Sequence, residues 1–145
     1  MNQLPHGADV LLVRTDFSSD AAWERLDAVL ATPNEEGFLA YVEPLDDRRF
    51  AGMTPEEALD LLPPDYEHPL LVLADGAAMA SEELPLLVMD LREVRGRSIR
   101  VIATELWGIE NNLSISNLDF EEFAASVDED GVFRTFDAGC GPAPS

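Results

Sequence analysis

The chain is 145 residues long and carries a formal net charge of −20, with 29 acidic side chains against nine basic ones, all of them arginine. Such a surface argues against nucleic acid or an anionic membrane as partner, because both are held by cations that displace counterions. A hydrophobic fraction of 46% is enough to build a core, which excludes a disordered acidic tail.

In chain order, the N-terminal residues 1–8 read as a flexible end, with neither the basic n-region nor the apolar h-region of a secretory signal. Val10 to Val13 is a short apolar run without polar alternation, which predicts a strand covered on both faces. Ser18 or Ser19 then caps a helix reaching about Ala31, with Ala22, Trp23, Leu26, Val29 and Leu30 on its apolar side. A weaker strand is expected over Phe38 to Val42, completing a β-α-β opening.

Thr54-Pro55-Glu56-Glu57 predicts a capped helix with proline at its first position, ended by Pro63-Pro64. Further buried strands are expected at Leu70 to Ala74, Leu86 to Met89 and Ile99 to Ala103. Gly76 to Leu84 has room for a single helical turn, barely enough for a parallel crossover, and Arg92 to Arg97 suits a hairpin with Gly96 in the turn. Glu105 to Asn117 is read as a short helical turn followed by extended chain, because Gly108 and the Asn111-Asn112 pair suit no element interior. Asp119 and Glu122 form a capping box, with Leu118 stapling Phe123, and Asp128 to Gly131 turns into a last short strand at Val132 to Phe136. Residues 137–145 read as a second flexible end. The expected fold is therefore a single α/β (or α+β) domain over residues 9–136, a mixed sheet of about five or six strands with helices packed on it, parallel first and antiparallel later.

Motifs that fix a reaction are missing: there is no phosphate-cradling glycine loop, no nucleophile elbow and no paired-histidine metal motif. His6, His68 and Cys140 lie in loops or ends where solvated side chains are the ordinary outcome. A single cysteine rules out an internal disulfide and points to a reducing cytoplasm, and no apolar run is long enough to span a membrane. Asp16, Asp75 and Asp90 each follow a predicted strand, so a pair such as Asp16 and Asp75 could hold a divalent metal for phosphoryl transfer or hydrolysis. The competing reading is that Asp16 helps cap a helix and the other two open polar loops. Neither a cofactor nor a metal is expected.

Arg92, Arg95, Arg97 and Arg100 place four cations within nine residues. They read as charges guarding a sheet edge or as a surface for docking on a second, acidic copy, giving a monomer or a weak homodimer. Trp107, beside Glu110, Asn111 and Asn112, is the candidate aromatic anchor for a protein partner; the alternative is that Trp107 belongs to the core. The leading functional expectation is a non-catalytic acidic module, immunity-like or inhibitor-like, that binds a basic protein. The alternatives are the metal-dependent enzyme and a protein whose acidity serves solubility alone.

Leu11 to Phe17, Ala21 to Trp23 and above all Glu105-Leu106-Trp107 through Asn111-Asn112-Leu113-Ser114-Ile115 to Asn117 and Phe123 carry a resemblance. The chain resembles a family of uncharacterised bacterial proteins, mainly actinobacterial, across most of residues 9–136. That resemblance implies a small bacterial cytoplasmic domain and no particular activity. In size and acidity the chain also looks like the immunity proteins that neutralise secreted toxins.

Overall fold

The computed structural model describes residues 4, 9–34, 37–114 and 120–134. Six strands, β1 (Val10–Arg14), β2 (Val42–Leu45), β3 (Leu70–Ala74), β4 (Pro85–Asp90), β5 (Ser98–Ile102) and β6 (Val132–Phe133), form one sheet in the order β2-β1-β3-β4-β5-β6. β1 pairs parallel with β2 and β3, β3 with β4 and β4 with β5 are antiparallel, and β6 returns parallel to β5. The sheet is mixed in the expected sense, apart from that last pair. The ten residues between β3 and β4 were too few for a parallel crossover. They hold the five-residue helix α3 (Gly76–Ala80) and return the chain at Leu84, whose φ of 53° is unusual for a branched side chain.

The uninterrupted apolar runs follow from cover on both faces. On one face, Val10, Leu12, Val72, Leu86, Val88 and Val101 pack under the helices α1 (Asp20–Ala31), α3, α4 (Leu106–Ser114) and α5 (Phe120–Ala124), which contribute Leu26, Ala78, Ile109, Leu113, Phe120 and Phe123. On the other, Leu11, Val13, Leu71, Leu73, Leu87 and Met89 meet Phe50, Met53 and the helix α2 (Pro55–Leu61). Each fully buried leucine or phenylalanine contributes roughly 1.5–3 kcal/mol, so the two layers together hold the sheet. Among the described residues no helix is long and apolar enough to cross a membrane.

Capping follows the sequence where it can be seen. Ser19 Oγ accepts from the Ala22 N–H, and Thr54 with Glu57 forms the full capping box of α2. Asp119 and Leu118, like His6, Cys140 and residues 135 and 136 of the expected last strand, lie outside the described residues. Two expectations are corrected. The strand is not at Phe38 to Val42 but at Val42–Leu45, and the chain from Phe38 to Tyr41 runs unpaired by sheet neighbours. Leu106–Ser114 is a nine-residue helix rather than a turn and extended chain. Its poor helix formers are offset locally, since Asn112 Nδ2 returns to the Gly108 carbonyl at 2.7 Å.

Tyr66 fills a gap in the sheet. Leu11 N–H donates to the Tyr66 hydroxyl at 3.0 Å, and that hydroxyl donates to the Leu70 carbonyl at 2.8 Å, extending the β1-β3 ladder that begins at Leu12↔Val72. Burial, reinforced by the Glu43 charge and opposed by the Leu11 N–H, pushes the phenol up to about 12. An unfolded tyrosine ionises near 10, so the neutral phenol favours the fold at lower pH, and this contribution disappears as pH climbs from about 10 towards 12. Tyr66→Phe should cost about 1–2 kcal/mol at neutral pH, by leaving a buried N–H and C=O unmatched. It should also remove the tyrosinate absorbance step near pH 12; a variant as stable as the parent would show that the hydroxyl bridge contributes nothing.

Candidate functional site

A cavity of about 490 Å3 lies between the end of α1, the chain leading into β2, and the start of α4. Its position is set by two local devices. Asn34 makes a turn: its N–H donates to the Phe38 carbonyl at 3.0 Å, its Oδ1 accepts the Phe38 N–H at 2.8 Å, and Gly37 takes the φ of 91° that such a turn requires. Helix α4 then takes the place of a neighbouring strand. Glu110 Oε1 accepts the Tyr41 N–H at 2.7 Å and Asn111 Nδ2 donates to the Leu39 carbonyl at 2.9 Å, so side chains satisfy backbone groups that a sheet would otherwise pair.

This arrangement lays the Phe38 ring flat against Trp107, with centroids 5.1 Å apart and planes 7° from parallel. Phe38 is 47% exposed and Trp107 is half-buried, so both rings form a rim that solvent reaches. Below them Val29, Leu30, Leu39 and Ala103 provide apolar walls. Glu105 is the titratable group in the lining, and its burial raises the carboxyl above its ordinary range. A concave, apolar site with one perturbed acid suits binding. General acid–base catalysis of hydrolysis needs a second group within reach.

Of the four residues expected to bind a partner, Trp107 lines this cleft. Glu110 is 4% exposed, and it also accepts from Asn111 Nδ2 at 2.9 Å. Asn111 and Asn112 are half-buried and turned to the fold. Glu110 and Asn111 thus shape the site from behind. Phe38, Leu39 and Glu105 were not singled out from sequence, although Pro33-Asn34 with Gly37 carried a turn signal just before Phe38.

Asp16 and Asp75 do sit at the ends of adjacent parallel strands, with the Thr15 and Asp16 N–H groups both donating to the Ala74 carbonyl. Their chemistry diverges. Asp16 accepts from Ser18 Oγ at 2.8 Å, whereas both Asp75 oxygens are engaged by Arg100, at 2.7 and 2.8 Å, while Oδ1 also caps α3 through Ala78 N–H. Burial works against the Asp75 charge, but Arg100 and Ala78 outweigh it and hold the carboxyl below its ordinary range. Among the described residues no group of three or more His, Cys, Asp or Glu side chains gathers as metal ligands. Nothing in this geometry supports the metal-dependent enzyme.

The arginine cluster is not an edge guard, because β4 and β5 lie inside the sheet and the edges are β2 and β6. Its members reach inward to separate elements: Arg92 to the Leu113 carbonyl, Arg95 to the Leu59 carbonyl, Arg97 to Asp90 and Glu121, and Arg100 to Asp75. Across the described residues five arginines (14, 49, 97, 100 and 134) hold ten carboxylates in ion pairs. With 29 acids against nine arginines in the chain, like-charge repulsion is expected to exceed this pairing. Raising sodium chloride from about 10 mM to 150 mM, which shortens the screening length from about 30 Å to 8 Å, should therefore raise the melting temperature. A flat or falling series would show that the arginine pairs already offset the acids.

The chain belongs to the family described as a domain of unknown function, DUF6924, which matches residues 9–136. Membership in an uncharacterised family agrees with the resemblance read from the sequence. No curated protein and no solved structure matches the chain.

Proposed function

We propose that this chain is a non-catalytic binding module of the bacterial cytoplasm, immunity-like or inhibitor-like in action. Its Phe38–Trp107 cleft receives an apolar side chain from a basic protein. The observation that carries this reading is the stacked, solvent-reached aromatic pair over an apolar cleft on a chain of charge −20. Aromatic anchors in concave sites supply most of the energy of protein interfaces, and complementary charge supplies speed and selectivity. The protein acts as a monomer or weak homodimer, since two of the four arginines suited to docking on a second copy, Arg97 and Arg100, are paired with carboxylates within the fold. The single cysteine supports a reducing compartment.

The test begins with a basic protein retained from lysate of the source organism at low salt and continues with kinetics on the purified pair. Association should slow steeply as salt rises, and Trp107→Ala should speed dissociation more than tenfold, a loss of roughly 2 kcal/mol. Phe38→Ala should act in the same direction, and its exposure makes it the safer variant for folding. If folded Phe38→Ala and Trp107→Ala proteins bind as the parent does, or if no basic protein is retained, the reading fails and acidity serves solubility.

A further inference from the structure

The walls of the Phe38–Trp107 cleft are apolar or uncharged, with one exception. Among the described residues that line it, Glu105 alone carries a charge. It ends the short turn that joins β5 to α4, two residues before Trp107, and is half-buried. Each arginine that forms an ion pair among the described residues forms it with another acid, and no described group donates a hydrogen bond to the Glu105 carboxylate. Burial alone acts on it, removing water with nothing in exchange and raising the carboxyl above its ordinary range. An apolar occupant would cover this carboxylate further and leave it unmatched, whereas a cation on an alkyl stem would satisfy both the acid and the walls.

We propose that the side chain entering this cleft is that of a lysine or arginine, its alkyl stem against the apolar walls and its cationic head with Glu105. This rests on the binding-module reading above and specifies the apolar part of its anchor as a methylene stem. Lysine and arginine stems cover apolar surface while the head keeps its charge. Aromatic faces attract cations, and the stacked Phe38 and Trp107 rings stand at the rim that an entering head must pass. A carboxylate partly withdrawn from water pairs more strongly with a cation than an exposed one does. The cavity of about 490 Å3 lies in the range that organic ligands fill, so stem and head fit together. A chain of charge −20 concentrates cations around itself, and a basic partner carries the residue type that the cleft requires.

n-Butylammonium and n-propylguanidinium reproduce the lysine and arginine side chains, and 1-butanol is their neutral counterpart. Each is titrated into the intact protein at an ionic strength matched with sodium chloride, with the Trp107 indole resonance followed by NMR. Saturable binding of at least one cation is expected, roughly tenfold tighter than that of 1-butanol, and the tighter cation assigns lysine or arginine. Glu105→Gln should abolish the preference for cations and leave 1-butanol binding in place. Glu56→Gln makes the same change of charge at an exposed acid of α2, on the opposite face of the sheet, and should keep the preference. Phe38→Ala should weaken the cations as well, which places them in the cleft even if the glutamine variant does not fold. No saturable response to either cation, 1-butanol binding as tightly as they do, or a preference that survives in Glu105→Gln would overturn the assignment. Equal binding of 1-butanol would still leave the cleft an apolar anchor site, whereas the binding-module reading itself fails on the captured partner, when folded Phe38→Ala and Trp107→Ala bind it as the parent does.

Discussion

Replacing Asp90 with alanine is expected to lower the unfolding free energy by about 3 kcal/mol and the melting temperature by about 10 °C. Asp90 ends β4, and its carboxylate is fully buried. Oδ1 accepts from the N–H groups of Arg92 and Glu93 at 2.9 and 3.1 Å, and Oδ2 from Val94 N–H at 2.9 Å and Arg97 Nη2 at 3.3 Å. The Asp90 backbone closes the same loop, donating to the Arg97 carbonyl at 2.7 Å and accepting from Gly96 N–H at 2.8 Å. Arg97 carries the effect further, since it also bonds Glu121 at 2.6 Å and stacks over Phe120 of α5. Alanine would leave three loop N–H groups and a guanidinium facing a vacated pocket, so β5 and α5 should loosen together. A chemical-denaturation shift below 1 kcal/mol would mean that water replaces the carboxylate.

The same residue gives an acid limb. Burial opposes its ionisation, but the Val94, Arg92 and Glu93 N–H groups together with Arg97 prevail and hold the carboxyl below its ordinary range. A depressed carboxylate stabilises the fold above the unfolded value of about 3.9, and that contribution is lost as pH falls through the folded value. Asp90→Asn keeps the Oδ1 acceptor but turns an amide N–H towards Val94 and Arg97. It should show a smaller loss than alanine at neutral pH and a shallower decline in acid.

Strands β1, β3 and β4 were legible because cover on both faces leaves them almost wholly apolar, a signal that needs no knowledge of neighbours, whereas β5 showed through Ile99 and Val101, which bury one side of an alternating strand. Hidden from the sequence was every decision made by a partner distant in the chain. Phe38 to Tyr41 has the composition of a strand, yet Glu110 and Asn111 satisfy its backbone and displace the pairing to Val42. Gly108, Asn111 and Asn112 made α4 look unlike a helix, yet the Asn111 amide serves a tertiary contact to Leu39 and the Asn112 amide returns to the Gly108 carbonyl within the helix. The cleft shared that fate. Trp107 stood out as an isolated aromatic, while Phe38 and Glu105 became part of a site only when the turn at Asn34 brought them to it. The arginine cluster was misread for another reason, since guarding an edge presumes a sheet order that one sequence does not reveal.

Arg14 should be nearly as sensitive as Asp90, and lysine should not rescue it. Only 3% of the residue is exposed at the end of β1. Its Nη2 reaches Asp20 at 2.8 Å and the Ser19 carbonyl at 3.4 Å, Nη1 reaches Asp46 at 3.3 Å, and Nε donates to the Asp16 carbonyl at 3.0 Å. The guanidinium lies over Phe17 at 4.3 Å and near Trp23 at 5.3 Å from the ring centroids. Asp20 and Asp46 are 73% and 50% exposed, so water can take them back when the arginine is lost. The Asp16 and Ser19 carbonyls and the two rings need the planar fork itself. Arg14→Met should therefore cost about 3 kcal/mol, and Arg14→Lys, with a single ammonium that cannot point three ways, should fall within about 1 kcal/mol of it. A lysine variant close to the parent in stability would instead show that positive charge alone holds the start of α1 to the end of β1.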